Sequence, residues 1–213
     1  GPSLDLIDRF KRMGFKQPHH LPLPLLRKMH PKTFPSAPPL KVLFASSIIP
    51  SKGLHVLIDA VESFPTEVIG LTVAGHASSS YAEDIKKRID QNQNMTWLGP
   101  VSHDQIGDLI GDHHVLALPS LWPENAPIIV REALDLGRYV ICSSEGGAKE
   151  FGHPVGLVKP GSVQDIVNHL NQIIDNSVPL PIPQKNPSMT EHIDALIKIS
   201  DQAIAKRSHI HNN

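Results

Sequence analysis

The chain reads as an α/β protein, a Rossmann-like parallel sheet of about six strands with helices on both faces. Short apolar runs at 42–45, 70–74, 95–98, 115–118, 139–143 and 155–158 recur through residues 40–176, with segments of helical period between them. Strands and helices alternate with short breaks, the pattern of a parallel sheet covered on both faces. With 213 residues and 40% hydrophobic content, the chain is long enough to bury one sizeable core.

Residues 1–39 open with Leu4, Ile7 and Phe10 at helical spacing, and Gly14 can end that helix. Pro18, Pro22, Pro24, Pro31, Pro35, Pro38 and Pro39 follow, so this stretch is expected to be an inter-domain connector. Gly1-Pro2 reads either as native or as a cloning remnant. The sheet then begins with the strand ending at Ala45. A helix over 52–63 carries Leu54, Leu57, Ile58 and Val61 on one side, and Ser102-His103-Asp104-Gln105 reads as a capping box before Ile106, Leu109 and Ile110. A further helix is expected over 127–136, with Asn125 as N-cap, Pro127 in the first turn and Gly137 after the last periodic residue. Residues 177–213 hold a proline-rich linker and a last helix, capped by Ser188-Met189-Thr190-Glu191. Its apolar side, Met189, Ile193, Leu196, Ile197 and Ile204, needs something to pack on.

Composition excludes several function classes. Lys plus Arg total 20 against 21 for Asp plus Glu, which leaves no electrostatic footprint for nucleic acid. Arg9, Lys11 and Arg12 could touch anionic lipid, which leaves peripheral membrane association open, but three basic residues favour a solvated face. The single cysteine, Cys142, sits in an apolar run and reads as a buried strand residue; a reducing, cytoplasmic compartment is the simplest expectation. No apolar stretch approaches the roughly 20 residues a spanning helix needs, and the first residues carry no signal-peptide pattern. The thirteen histidines lack metal-ligand spacing on any expected helix, so no metal is expected. His76 stands apart because it follows Gly75 at the carboxyl end of a strand, although a solvated loop histidine is the simpler reading. The absence of G-x-G-x-x-G after the first strand argues against a nicotinamide or flavin cofactor.

The segment from Trp122 to Ala133 carries the chemistry. Glu124 and Glu132 flank seven residues that leave a strand, turn and open a helix. The first-turn amides, including those of Ile128 and Ile129, lie at the positive end of the macrodipole, where an anionic group is stabilised. Glu132 is four positions after Ile128 on the same face, and its side chain leans back toward whatever those amides hold. A sugar diphosphate satisfies both features. The bland alternative is a dipole-favoured Glu124 and a solvated stripe of Arg131, Glu132 and Asp135.

This segment resembles the E-x7-E signature of retaining glycosyltransferases of the GT-B fold, the large family-four group, in the variant W-x-E-N-x-P-x-x-x-x-E-A: Trp122, Glu124, Asn125, Pro127, Glu132 and Ala133. Ser46 to Gly53 resembles the family's G-R-L-x-x-x-K-G loop, matching at Lys52 and Gly53, with Ser47 where many relatives have arginine. Thr72-Val73-Ala74-Gly75, Thr96-Trp97-Leu98-Gly99, Ala117-Leu118-Pro119-Ser120 and Ser143-Ser144-Glu145-Gly146-Gly147 follow in the family's order.

The resemblance implies the C-terminal, donor-binding half of a GT-B enzyme, with a nucleotide sugar as donor substrate and no other cofactor. It implies that Lys52 pairs with the donor diphosphate, which the Ile128 and Ile129 amides cap with the neighbouring Asn125–Ala126 loop. Glu132 would accept the ribose hydroxyls and Glu124 would hold the transferred sugar. The backbone of Leu98, Gly99 and Val101 would meet the base, Ser47 would stand beside the diphosphate, and Gly146 and Gly147 would let a loop approach the sugar. The last helix would cross back onto an N-terminal, acceptor-binding half that residues upstream of 40 cannot form. Two alternatives stay in view: a non-catalytic nucleotide-sugar binding or scaffold domain, and a GT-B-type nucleotide-sugar epimerase or hydrolase.

Overall fold

Six parallel strands form one sheet in the computed structural model, which describes residues 1–25, 29, 32–152, 155–184 and 186–211, with side chains to residue 205. They are β1 (Leu40–Ala45), β2 (Ile69–Ala74), β3 (Met95–Gly99), β4 (Val115–Leu118), β5 (Tyr139–Ser143) and β6 (Val155–Val158), in the spatial order β3-β2-β1-β4-β5-β6. Each expected run is a strand, with ends shifted by at most two residues. Every residue of β4 and β5 is buried, so layers cover both faces there and the continuous Val, Leu and Ile pattern is explained. The register pairs Val42 with Val115 and Leu43 with Leu116, so the strand order reverses between β1 and β4.

The helices are α1 (Leu4–Arg12), α2 (Leu54–Val61), α3 (Ser80–Asp90), α4 (Ile106–Gly111), α5 (Ile128–Asp135), α6 (Val163–Ile174) and α7 (Met189–His211). α2 packs on α6, and α4 on α5. Three expectations about helix starts are corrected. The helix expected over 52–63 is a 3-10 turn, Pro50–Lys52, followed by α2; Gly53 between them has φ +72°, and a Cβ there would lie 2.1 Å from the Pro119 carbonyl oxygen. Ser102 does not cap α4: its hydroxyl donates to Gln105 Oε1 at 2.8 Å, and α4 starts after Gln105 without a side-chain cap. Asn125 does not cap α5, whose N-cap is Pro127, because the Asn125 side chain is engaged elsewhere. The box at Ser188 does form. Glu191 N–H donates to Ser188 Oγ at 3.1 Å, and Ser188 N–H donates to Glu191 Oε2 at 2.7 Å.

Of the proline-rich stretch before β1, Pro31 lies outside the described residues; Lys32, Thr33 and Phe34 pack onto the domain through Arg138, whose guanidinium is buried without a carboxylate partner among the described residues. Its Nη2 donates to the carbonyls of Lys32 and Thr33 at 3.0 Å and of Gly111 at 2.8 Å, and Phe34 lies under the guanidinium. The Gly111 carbonyl ends α4, so Arg138 places a cation at the negative pole of that helix. His114 Nδ1 accepts the Lys41 N–H at 2.9 Å and Nε2 donates to the Pro35 carbonyl at 3.2 Å, which requires the neutral ring.

α7 is a different case. Met189, Ile193, Leu196, Ile197 and Ile204 are exposed along one side. Among the described residues no helix is long and apolar enough to cross a membrane.

Candidate functional site

In an open parallel sheet, ligands bind outside the carboxyl ends of strands where the order reverses, because loops leave the two flanking strands in opposite directions and open a crevice. Here those strands are β1 and β4, followed by Ser46–Gly53 and Pro119–Pro127. The two loops are joined by the Leu121 N–H, which donates to the Ser51 carbonyl at 2.8 Å, and by the contact of Gly53 with Pro119.

A cleft of about 420 Å³ opens at this edge, and Ser46, Gly75, Val101, Ile128, Ile129 and Glu132 line it. Glu132 is 5% exposed, so a carboxylate is buried on the cleft wall one helical turn from the Ile128 amide. Among the described residues the Ile128 and Ile129 amides have no hydrogen-bond acceptor, as first-turn groups without a side-chain cap. The cleft therefore joins unpaired donors at a helix N-terminus to a buried acceptor, as expected from spacing.

Beside it lies a second cluster. Lys52 Nζ sits 2.6 Å from Glu124 Oε1, and the Ser120 hydroxyl donates to the same oxygen at 2.5 Å. Glu124 reaches this position because its backbone pairs with Gly146 in a parallel bridge and its carbonyl accepts the Gly147 N–H at 2.7 Å. Gly146 has φ +78° and ψ −154°, a region essentially restricted to glycine, and a Cβ there would lie 2.1 Å from the Glu124 carbonyl oxygen. Gly147 approaches as closely: its Cβ would lie 1.8 Å from the Asn125 carbonyl oxygen. The two glycines thus let one backbone lie against another. Cys142, on β5, has its thiol pushed up to about 12 by burial and secondarily by the Glu124 charge, so it is no nucleophile at neutral pH.

The structure brings together Lys52, Glu124, Gly146 and Gly147 in one cluster, and Val101, Ile128, Ile129 and Glu132 in the adjoining cleft. Gly99 stands at the edge, where its carbonyl accepts the Gly75 N–H at 2.9 Å. Ser47, Leu98 and His76 are exposed and do not line the cleft. Ala126 and Asn125 face the other way. Asn125 Oδ1 accepts the Ser3 hydroxyl at 2.6 Å, and Ala126 lines a hollow beside α1. Ser3 is the N-cap of α1, and Glu150 accepts the Leu4 and Asp5 amides at 2.7 and 2.8 Å, so α1 is docked on the Gly147–Phe151 turn. Sequence reasoning missed Ser3 and Ser120 as partners of this loop. The signal in the sequence was that Ser120 follows an apolar run, two residues after its end at Leu118 and four before Glu124. Among the described residues no group of three or more His, Cys, Asp or Glu side chains is arranged to hold a metal.

Comparison with known proteins bears on the family and the fold. The family described as "Glycosyl transferases group 1" matches residues 27–201. The phosphatidylinositol N-acetylglucosaminyltransferase gpi3 subunit of Schizosaccharomyces pombe is 26% identical over 63% of this chain and 30% of its own length. The lipopolysaccharide 1,2-N-acetylglucosaminetransferase of Salmonella typhimurium is 27% identical over 70% and 42%. The chain thus spans less than half of these curated relatives. Among solved structures, sucrose-phosphate synthase from Thermosynechococcus elongatus superposes with a TM-score of 0.81 at 18% identity, over 96% of this chain and 57% of that one. Anabaena HepE in complex with UDP and glucose gives 0.62 at 24% identity over 80% and 48%. The C-terminal domain of LpcC from Francisella tularensis, a group 1 family protein, gives 0.57 at 19% over 69% and 78%. These likenesses establish the Rossmann-like half of the GT-B fold. With a family match over most of its length, the chain belongs to the group 1 glycosyl transferases.

Proposed function

We propose that this chain is the donor-binding half of a retaining glycosyltransferase that moves a sugar from a nucleotide-diphosphate sugar to an acceptor hydroxyl in glycan or polysaccharide biosynthesis. The observation that carries the reading is the cleft at the strand-order reversal, where unpaired first-turn amides of α5 and the buried Glu132 adjoin the Lys52–Glu124 cluster. In this reading the Ile128 and Ile129 amides and Lys52 take the diphosphate, Glu132 accepts the ribose hydroxyls, and Glu124 accepts hydroxyls of the transferred sugar. The backbone from Gly99 to Val101 meets the base, which therefore has no side-chain signature.

No protein nucleophile is required. The leaving diphosphate can take the proton of an acceptor hydroxyl attacking on the same face as the departing group. Lys52 and the helix amides stabilise negative charge as it grows on the leaving oxygen, the preorganised contribution that is often largest. Acceptor binding belongs to a separate half that docks along the exposed apolar side of α7 and the exposed Trp122 beside the site. This chain alone then binds donor and transfers little sugar. Ser47 favours a second reading, a nucleotide-sugar binding domain without turnover, because it leaves Lys52 as the one loop cation at the diphosphate.

Calorimetric titration with UDP, GDP and ADP, on wild type and Glu132→Ala, tests the reading. UDP is the first probe because HepE is seen with UDP and with UDP-glucose. One nucleotide bound by wild type and weakened by the variant supports the donor site, and no binding to any of the three refutes it.

A further inference from the structure

Lys52 and Ser120 converge on one oxygen of Glu124, and the three groups differ in freedom. Ser120 is fully buried two residues after β4, and its N–H donates to the Leu118 carbonyl at 2.9 Å. Glu124 is held through its backbone by Gly146 and Gly147. Lys52 alone ends in a flexible four-carbon stem with 24% of its side chain exposed, so its ammonium can swing without moving any backbone. In the resting chain its charge is already matched by Glu124 at 2.6 Å. An arriving diphosphate must therefore compete with that carboxylate for the lysine.

We propose, resting on the donor-site reading above, that Ser120 is a positioning residue: it holds the Glu124 carboxylate while Lys52 exchanges from Glu124 to the diphosphate, and the exchange makes the site prefer nucleotide sugar over free nucleotide. When a nucleotide sugar binds, the sugar hydroxyls donate to Glu124 as the diphosphate takes Lys52, so both charges keep partners. When a nucleoside diphosphate binds alone, Glu124 loses its cation and gains no hydroxyls; a partly buried carboxylate is left with Ser120 only, which is unfavourable. Return of Lys52 to Glu124 then drives the spent nucleotide out. In either complex Ser120 is the partner of Oε1 that stays when the lysine leaves.

The test is calorimetric titration of this chain with UDP and with UDP-glucose, or with the diphosphate and glucose ester of whichever base the first screen selects. Wild type, Ser120→Ala and Glu124→Gln are compared. Wild type binds the nucleotide sugar more tightly. Ser120→Ala removes the last partner Glu124 keeps when UDP takes Lys52, whereas the sugar hydroxyls remain in the donor complex, so UDP is weakened about tenfold and the nucleotide sugar less. Glu124→Gln frees Lys52, so UDP binds more tightly while the nucleotide sugar binds less tightly. A merely structural serine would weaken both ligands in proportion. An unchanged preference in Ser120→Ala, or no gain for UDP in Glu124→Gln, overturns the inference. If nucleotide binding is still weakened by Glu132→Ala in that event, the donor reading survives; absence of all nucleotide binding to wild type removes both.

Discussion

Gly146 and Gly152 offer a matched pair that separates backbone strain from close approach. Both occupy the glycine-only region, at φ +78°, ψ −154° and φ +67°, ψ −162°. An alanine at either position costs about 1–3 kcal/mol for the dihedrals alone. At Gly152 nothing among the described residues lies within 4 Å of the added Cβ, so the cost ends there. At Gly146 the Cβ would lie 2.1 Å from the Glu124 carbonyl oxygen, where ordinary contact begins at 3.4 Å, so the two chains must part by about 1.3 Å. Movement of that size breaks the 2.7 Å bond from Gly147 N–H to the Glu124 carbonyl, a further loss of about 1 kcal/mol. It also draws the Glu124 carboxylate off Lys52 and Ser120. Gly146→Ala is therefore expected to lose about 2–4 kcal/mol in urea unfolding and about tenfold in nucleotide-sugar affinity. Gly152→Ala should lose only the strain and bind normally. Equal stability losses together with equal affinities would refute the argument that close backbone approach holds Glu124 in place.

Arg138→Met should destabilise the chain by about 1–3 kcal/mol in urea unfolding, because the Gly111 carbonyl loses a buried donor while the part-buried Lys32 and Thr33 carbonyls can turn to water. A loss under about 1 kcal/mol would mean that the cost of burying the guanidinium cancels its bonds. His113 and His114 both have pKa values lowered from 6.5, first by burial; Lys41 disfavours charge on both, Arg138 on His114, and Asp112 favours it on His113. The unfolded chain takes up protons first as pH falls, so their contribution is complete above about pH 6.5 and is lost as pH drops through the folded values. The urea midpoint should accordingly fall from pH 7.5 to 5.5, and His114→Asn, which keeps an acceptor for the Lys41 N–H, should flatten that slope.

The central strands were legible because burial on both faces writes uninterrupted apolar runs, so β4 and β5 match the reading residue for residue, as does the edge strand β6, of which only Val158 is buried. Helix starts were less so, because a capping pattern is read locally while its side chains are claimed from afar. Asn125 has the right chemistry for an N-cap, yet Ser3 takes its oxygen from 122 positions away. Ser102 and Gln105 have the spacing of a box but bond to each other, whereas Ser188 and Glu191, with the same pattern, form one. The carboxylates of the site were legible from the interval between Glu124 and Glu132. Ser120 and Arg138 were not, because a serine after a strand and an arginine after a helix look ordinary until the fold shows what lies opposite.

The tight backbone contacts around the cleft also have a kinetic meaning. Gly53 lies against Pro119, Gly146 against Glu124 and Gly147 against Asn125, each with no room for even a methyl group, and the Ser51–Leu121 bond ties the loops after β1 and β4 into one body. Opening either loop alone would have to break these contacts, so the two loops are expected to move as one body. Exchange of a bound molecule is then expected to proceed without separate opening of either loop, and the Leu121 and Gly147 amides, which tie the frame, should exchange their hydrogens together and slowly.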